Sequence, residues 1–199
     1  MTEVTATASQ RRTAAETREH VLDVANELFY WQGIRAVGVD TVARDAGVAP
    51  TTLYRLFANK DDLVAAYVDR AAERYRAWFR DAVERGSTPR DRILALFEAL
   101  AEQVQPSQCR GCPFLMALAE SPDATATVHR NAVSLKSWVR DEIGALTNQL
   151  VDAGAADDAE ALADELTLVM EGVYASVHAL GVDGPARQAG ALVARLIPG

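Results

Sequence analysis

A chain of 199 residues, 49% of them hydrophobic, is long enough to bury a core in one large or two small domains. No apolar run approaches the roughly 20 residues that a membrane span needs, and the first ten residues hold no apolar signal core, so we expect a cytoplasmic protein with no membrane partner. Two cysteines exclude a disulfide scaffold, and the net charge of −8 at first disfavours a nucleic-acid partner.

The charge is unevenly distributed along the chain. Residues 1–60 hold seven basic and seven acidic residues, so that residues 61–199 carry the whole net charge. Basic side chains near the start of the chain can therefore face DNA while the acidic remainder faces away. The alternative is that these charges only cover a solvated surface. The basic side chains concerned are Arg11, Arg12, Arg18, Arg44, Arg55 and Lys60.

The first predicted helix follows a polar tail. Residues 1–11 are small and polar, and we expect them to be disordered. Thr13 and Glu16 then match a capping box, which marks a helix start. This helix is expected to end near Gly33 and to be the first of three in a DNA-binding domain at residues 12–58. Its apolar face consists of Val21, Ala25, Leu28 and Phe29.

A helix-turn-helix is predicted within residues 39–57. Apolar residues recur at helical spacing in its first helix, Gly47 allows the left-handed backbone of a turn, and Pro50 suits the first position of the second helix. In the second helix the apolar residues point one way. Hydroxyl groups, a phenol and a guanidinium are left on the other face, where they suit a DNA backbone and base edges. These side chains are Thr51, Thr52, Tyr54 and Arg55.

The stretch AGVAPTTLYRLFANKDDL, residues 46–63, resembles the DNA-binding signature of the tetracycline-repressor (TetR) family. The glycine turn, the Leu-Tyr pair, the Phe and the following Lys stand at the spacing of that family. Two positions depart from its pattern. Gly38 stands where the family commonly opens the first helix with Thr or Ser, and Leu56 stands where it often has a His that contacts phosphate. Both departures put individual phosphate contacts in doubt.

The resemblance implies an all-α fold, with an N-terminal three-helix DNA-binding domain followed by a larger C-terminal helical bundle for ligand binding and dimerisation. It further implies a ligand-responsive transcriptional regulator, a homodimeric repressor that a small-molecule effector releases from a palindromic double-stranded operator. No cofactor is implied. No nucleophile elbow, phosphate loop or paired metal-binding His supports an enzyme. The DNA-binding residues that we predict are Thr41, Arg44, Pro50, Thr51, Thr52, Tyr54, Arg55 and Lys60.

The rest of the chain, residues 59–199, is predicted to form the ligand-binding and dimerisation domain. Asn59 can cap a helix of about 25 residues that reaches Arg85. Asp61 and Asp62 lie in its first turn, where the helix dipole favours negative charge. Beyond it the apolar periodicity stays helical and shows no strand. The further helices are expected from Pro89 to before Pro106, from Pro113 to about Ala119, from Asp123 to Ala153, from Asp158 to Leu180 and from Pro185 onwards.

A dimer contact is predicted on the helix that ends at Leu180. Gly172, Ala175 and Ala179 form a small-residue face that lets another helix approach closely. Packing within one chain explains these residues about equally well. Symmetry favours the dimer, because one short recognition helix reads few base pairs and two on a palindrome double the contacts.

The effector site is predicted among the aromatic and sulfur-containing side chains of the bundle, although each of them also fits a plain core position. Their abundance, with few buried charges implied, predicts a mainly apolar or aromatic effector. The candidate lining residues are Trp78, Phe97, Phe114, Met116, Trp138, Met170, Tyr174 and His178.

Cys109 and Cys112 form a C-x-x-C pair, the spacing of zinc ligands and redox dithiols. A zinc site needs four ligands and the chain has no second pair, so we predict no metal site. A packing role is favoured. The alternative is a thiol redox-sensing regulator, in which a helix N-terminus and Arg110 lower the pKa of a thiol. A helical binding protein with a vestigial DNA-binding motif is a third interpretation.

Overall fold

The computed structural model describes residues 12–105 and 109–197, and in this part of the chain every regular element is a helix. The predicted all-α fold class is therefore confirmed. The predicted tail, residues 1–11, lies outside the described residues. In chain order the helices are α1 (Ala14–Gln32), α2 (Val39–Asp45), α3 (Pro50–Leu56), α4 (Lys60–Glu84), α5 (Pro89–Gln103), α6 (Pro113–Glu120), α7 (Thr127–Asp152), α8 (Ala159–Leu180) and α9 (Ala189–Leu196), with a 3-10 turn at Pro185–Gln188.

Contacts divide the chain into two compact units, residues 1–63 and residues 64–199. In the first unit, α1 begins at the predicted capping box. The Thr13 hydroxyl accepts from the Glu16 amide at 3.2 Å, and the Glu16 carboxylate accepts from the Thr13 amide at 2.7 Å. The latter hydrogen bond holds the pKa of Glu16 below its usual value. The core of this unit includes Leu22, Phe29, Val42, Leu53 and Phe57.

In the second unit, α7 and α8 pack against each other and against the shorter helices. Asp158 caps α8 by accepting from the amides of Glu160 and Ala161. Thr147 is buried, and its hydroxyl is within hydrogen-bond distance of the Ala159 carbonyl at 2.8 Å, which fixes the start of α8 against α7. The largest buried side chains of the unit include Phe79, Leu96, Leu100, Phe114, Leu135, Ile143 and Leu150.

Helix ends and some core positions differ from the prediction. Helix α7 begins at Thr127 and not at Asp123, because the Asp123 carboxylate accepts from the amide and the hydroxyl of Thr125 in a turn, at 2.8 Å each. The segment from Pro185 starts as a 3-10 turn before α9. Leu180 continues the apolar periodicity of α8 but is 65% exposed, because α8 ends there. Apolar periodicity therefore finds the helices but not all of their ends.

Candidate nucleic-acid interface and effector site

The turn between α2 and α3 has the geometry that the sequence predicts. Gly47 has φ 64°, in the left-handed region that favours glycine. Its amide donates to the Arg44 carbonyl at 3.0 Å, and the Val48 amide donates to the Ala43 carbonyl at 2.9 Å. Pro50 follows as the first residue of α3. This turn fixes the direction in which α3 leaves α2.

Helix α3 has two distinct faces. Leu53 and Phe57, the residue that caps the C-terminus of α3, are buried in the core of the first unit. On the opposite side Tyr54 is 51% exposed, which is unusual for an aromatic residue on an amphipathic helix. The side chains that share this side form what we call the α3 surface: Thr51, Thr52, Tyr54 and Arg55. All of them are exposed except Thr52, which is half-buried.

The predicted supporting contacts lie on neighbouring helices. Arg44 is exposed at the end of α2, where its Nε donates to the Asp45 carboxylate at 2.9 Å. Thr41 on α2 and Lys60, the first residue of α4, are both half-buried. Asn59 caps α4 by accepting from the Asp62 amide at 2.8 Å.

The two departures from the family pattern have visible consequences. Gly38 is the N-cap of α2, and no side chain among the described residues hydrogen-bonds to that helix start. A Thr or Ser there would supply such a bond. Leu56 is half-buried at the last position of α3 and offers no polar atom to a phosphate. Neither position therefore has a polar side chain for the phosphate contact that the family pattern would place there.

Two residues of α1 make contacts with the motif that the sequence does not predict. His20 Nε2 lies 3.0 Å from the Ala46 carbonyl at the end of α2, so the ring N–H donates to it. The guanidinium of Arg18 lies 5.1 Å from the centre of the Phe57 ring. Arg18 therefore packs on the core residue that ends α3. Neither contact has a local signal, because each joins residues far apart in the sequence.

In the second unit, the buried Tyr75 contacts three of the predicted effector residues, Trp78, Phe114 and Met170. Its ring centre is 5.0 Å from that of Trp78 and 5.8 Å from that of Phe114, the latter edge to face. Its hydroxyl donates to the Met170 thioether at 3.3 Å. The Tyr174 hydroxyl donates to the Gln103 amide oxygen at 2.9 Å. Burial raises the pKa of both tyrosines.

The structure places the other predicted effector residues elsewhere in this unit. Trp138 packs edge to face on Phe79, with ring centres 5.3 Å apart, and lies below the Arg76 guanidinium at 5.6 Å. Met116 is half-buried and His178 is exposed, and both flank Gly111. These three residues therefore do not join the group around Tyr75.

Phe97 lines a cleft of about 320 Å³ that α5 and α8 form with the C-terminal 3-10 turn and α9. Val173, Val177 and Arg187 are among its other lining residues. Its volume is at the lower end of the range of small-molecule sites.

Burial raises the pKa of the Cys112 thiol, although the Lys136 ammonium, 3.9 Å away, opposes the shift. The redox alternative supposed a thiol whose pKa is lowered. Cys109 is also buried, and the two cysteines are not joined by a disulfide. A buried thiol with a raised pKa has less of the thiolate character of a reactive cysteine, so Cys112 fits the favoured packing role better than the redox alternative.

Lys136 forms an ion pair with Glu171, and this pair was not anticipated. Both side chains are mostly buried between α7 and α8. Sequence periodicity does not reveal such a pair, because charged residues on a helix are by default assigned to solvent. Within residues 12–105 and 109–197, no three His, Cys, Asp or Glu side chains are grouped to hold a metal ion. No helix in those ranges has the length and apolar character to span a bilayer.

Comparison with known proteins identifies both parts of the chain. Residues 21–67 match the family model of bacterial regulatory proteins of the tetR family, and residues 89–193 match the model of the tetracyclin repressor-like C-terminal domain. The HTH-type transcriptional regulator YjdC of Escherichia coli is 28% identical over 156 residues, 78% of this chain and 80% of YjdC. The HTH-type transcriptional repressor KstR2 of Mycobacterium tuberculosis is 28% identical over 125 residues, 61% of this chain and 62% of KstR2.

A solved structure agrees with these matches. A TetR-family transcriptional regulator from Streptomyces coelicolor superimposes with a TM-score of 0.80 at 29% sequence identity, covering 92% of this chain and 93% of the other. The similarity therefore extends over nearly the whole chain and is not confined to the helix-turn-helix.

Proposed function

This chain belongs to the TetR family of bacterial transcriptional regulators, and on that basis we propose that it is a cytoplasmic homodimeric repressor that leaves a palindromic operator when a small, mainly apolar effector binds. The family consists of DNA-binding regulators, so the chain is a regulator and not an enzyme. The repressor role is supported by one relative that carries that name. We assign DNA binding to residues 12–58, and effector binding and dimerisation to residues 59–199.

The observation that carries the proposal is the exposure of the α3 surface opposite a buried face of the same short helix. Arg55 supplies a guanidinium that can bond both acceptors of a guanine in the major groove, and the hydroxyls of Thr51 and Thr52 can bond bases or phosphates. Arg44 and Lys60 fit phosphate contacts, which position the protein without reading sequence. In this proposal the α3 surface provides sequence specificity, and Arg44 and Lys60 position the protein on the DNA.

An exposed face of α8 supports the dimer. Leu168 is 72% exposed, an unusual position for a large apolar side chain. Gly172, Ala175 and Ala179 follow it along the same face and are also exposed. The steps of four, three and four residues match the spacing at which two helices pack along a shared contact line. A second copy of the chain that covers this face would double the DNA contacts, as a palindromic operator requires.

Effector binding and operator binding are coupled in this proposal. An effector can release DNA only if it binds one conformation of the dimer more tightly than the DNA-bound one. By linkage, operator DNA then weakens effector binding by the same factor. The predicted lining residues around Tyr75 are the interior positions at which such a ligand would act.

The test is selection of bound fragments from genomic DNA, followed by mobility-shift titration on the selected operator. We expect an inverted repeat, and we expect Arg55→Ala to weaken binding about 10-fold to 100-fold, which corresponds to about 1–3 kcal/mol for a guanine contact. Arg195→Ala, which removes an exposed arginine of α9, is the matched control and should bind as the wild type does.

Each part of the proposal has its own contradicting result. Failure to select any sequence would count against DNA-binding regulation. A selected site without two-fold symmetry would count against the dimer. Unchanged affinity of Arg55→Ala would remove the α3 surface from the interface, while leaving the regulator function in place.

A further inference from the structure

A cleft between α5 and α9 has no role in the proposed function. It has a volume of about 320 Å³, and α5, α8, the 3-10 turn and α9 contribute to its walls. We call it the α5–α9 cleft. None of its described lining residues belongs to the group around Tyr75. Because pockets of this volume can enclose most of a small molecule, the cleft is a candidate ligand site in its own right.

The buried part of the lining is mainly aliphatic. Its four buried side chains come from α5, from the residue that caps α5 and from α8: Phe97, Val104, Val173 and Val177. An aromatic ligand gains from ring partners at its faces and edges, and a single phenylalanine offers few of them. An alkyl chain gains from the burial of apolar area alone. These walls therefore favour an aliphatic ligand.

Small residues keep the cleft open. The lining residues with the smallest side chains are Ala101, Ala186, Ala189 and Gly190. Gly190 is the second residue of α9, its φ is not positive, and a Cβ there would meet nothing within 4 Å among the described residues. Since glycine is less stable than alanine in a helix, stability does not explain Gly190. The missing side chain instead leaves space in the cleft.

The charged side chains of the lining have opposite signs. Glu98 on α5 and Arg187 in the 3-10 turn are both exposed, so each interacts only weakly with a charge on a ligand. A ligand of either sign meets one attractive and one repulsive group. The Gln105 side-chain amide N–H donates to the Ala101 carbonyl at 3.0 Å, and its amide oxygen can accept from a hydroxyl. The rim therefore suits an uncharged polar group.

We propose that the α5–α9 cleft is a further ligand site of this protein, and that its ligand is an uncharged molecule with an aliphatic chain. The chain packs on Phe97, Val173 and Val177, while the polar end stays at the rim. This site goes beyond the proposed function, because it is separate from the group around Tyr75 and requires no DNA. The ligand contacts the buried side of α8, the helix whose exposed face we assign to the dimer.

The test uses three probes that share one alkyl chain: 1-octanol, octanoate and octylamine. Isothermal titration calorimetry on the full chain should show that 1-octanol binds several-fold more tightly than either charged probe, because a charged end loses hydration without a net attraction. 1-Hexanol should bind roughly 15-fold more weakly than 1-octanol, since each buried CH₂ is worth roughly fourfold in affinity. Absence of 1-octanol binding, tighter binding of a charged probe, or equal affinity of the two alcohols overturns the inference.

The decisive variant fills the cleft from α9. Gly190→Leu should weaken 1-octanol at least tenfold, while its melting temperature equals or exceeds that of the wild type, because leucine is the better helix former. The matched control is Ala191→Leu, which adds a leucine at the next, exposed position of α9, outside the described lining of the cleft. That control should bind 1-octanol as the wild type does.

A second variant fills the cleft from the opposite wall and protects the test against misfolding. Ala101→Leu, at an exposed position of α5, should also weaken 1-octanol at least tenfold. Normal affinity in either folded variant contradicts the placement of the ligand between α5 and α9.

Sedimentation velocity separates a ligand site from a contact between two copies of the chain. We expect the oligomeric state of the wild type to persist in Gly190→Leu and in the presence of 1-octanol. A shift towards monomer in either sample would mean that a second copy occupies the cleft, and it would overturn the inference. Probe binding is measured without DNA and operator binding without probe. Loss of probe binding therefore rejects this inference alone, whereas absence of operator binding rejects the proposed function.

Discussion

The α3 surface and the aromatic group around Tyr75 differ in their relation to the core. The α3 surface, to which we assign DNA binding, is largely exposed, and Leu53 and Phe57 of the same helix region are buried in the core of the first unit. The group around Tyr75 is itself part of the core of the second unit, where Tyr75 and Phe114 are buried. We therefore expect function and stability to be separable in the first unit and coupled in the second. Substitutions at the two places should reveal this difference.

The largest expected difference comes from removing one aromatic ring in each unit. Phe114→Ala removes a buried ring that contacts Tyr75, and we expect it to lower the free energy of unfolding by about 3–5 kcal/mol. Tyr54→Ala removes a half-exposed ring and should change stability by no more than about 0.5 kcal/mol, while weakening operator binding. Urea unfolding followed by circular dichroism measures the first quantity and mobility shift the second.

Similar losses of stability in Phe114→Ala and Tyr54→Ala would contradict the difference between the two units. A large loss of stability in Tyr54→Ala would mean that the α3 surface also supports its unit. Normal stability of Phe114→Ala would mean that the rings around Tyr75 are not tightly packed.

The tyrosines of the second unit predict a smaller, pH-dependent effect. Burial raises the pKa of Tyr75 and Tyr174, so the folded state keeps their protons at a pH where the unfolded chain, with a tyrosine pKa of about 10, loses them. Stability should be unaffected below about pH 10 and should fall above it, by up to about 1.4 kcal/mol per pH unit for each tyrosine.

Thermal unfolding between pH 8 and pH 11 checks this effect. Tyr75→Phe should make the alkaline loss of stability shallower, because one of the two buried ionisable groups is gone. Tyr54→Phe, at the half-exposed ring of the α3 surface, is the control and should follow the wild type. Identical alkaline profiles for Tyr75→Phe and the wild type would show that Tyr75 does not contribute.

The same contrast explains how far the sequence predicts each site. The turn at Gly47, the start of α3 at Pro50 and the two faces of α3 all depend on residues a few positions apart, so periodicity and turn chemistry are sufficient. The pairs Tyr75–Met170 and Tyr174–Gln103 join residues 95 and 71 positions apart. Periodicity places such residues on a buried face, but it does not say which of them meet.

Two features of the second unit that the sequence does not predict also depend on non-local packing. Cys112 does precede the first turn of α6, as expected, yet burial has a larger effect on its thiol than the helix start or Lys136. Lys136 and Glu171 occupy helical positions that composition assigns to solvent. Their inward orientation follows from the packing of α7 on α8, which no short stretch of sequence encodes.

The smallest expected effect tests the local turn. At Gly47, with φ 64°, a Cβ would meet nothing within 4 Å among the described residues, so Gly47→Ala carries backbone strain without a clash. We expect this substitution to lower the free energy of unfolding by about 1–2 kcal/mol. It should also weaken operator binding, because α3 would leave the turn in a different direction. Gly144→Ala, within α7, is the matched control, because its new methyl would lie 4.0 Å from the Cβ of Ala163 without a clash. Replacing a glycine by alanine inside a helix should raise the free energy of unfolding by about 0.5–1 kcal/mol. Melting curves and mobility shifts measure both variants. If Gly47→Ala bound the operator normally, the left-handed turn would not set the direction of α3.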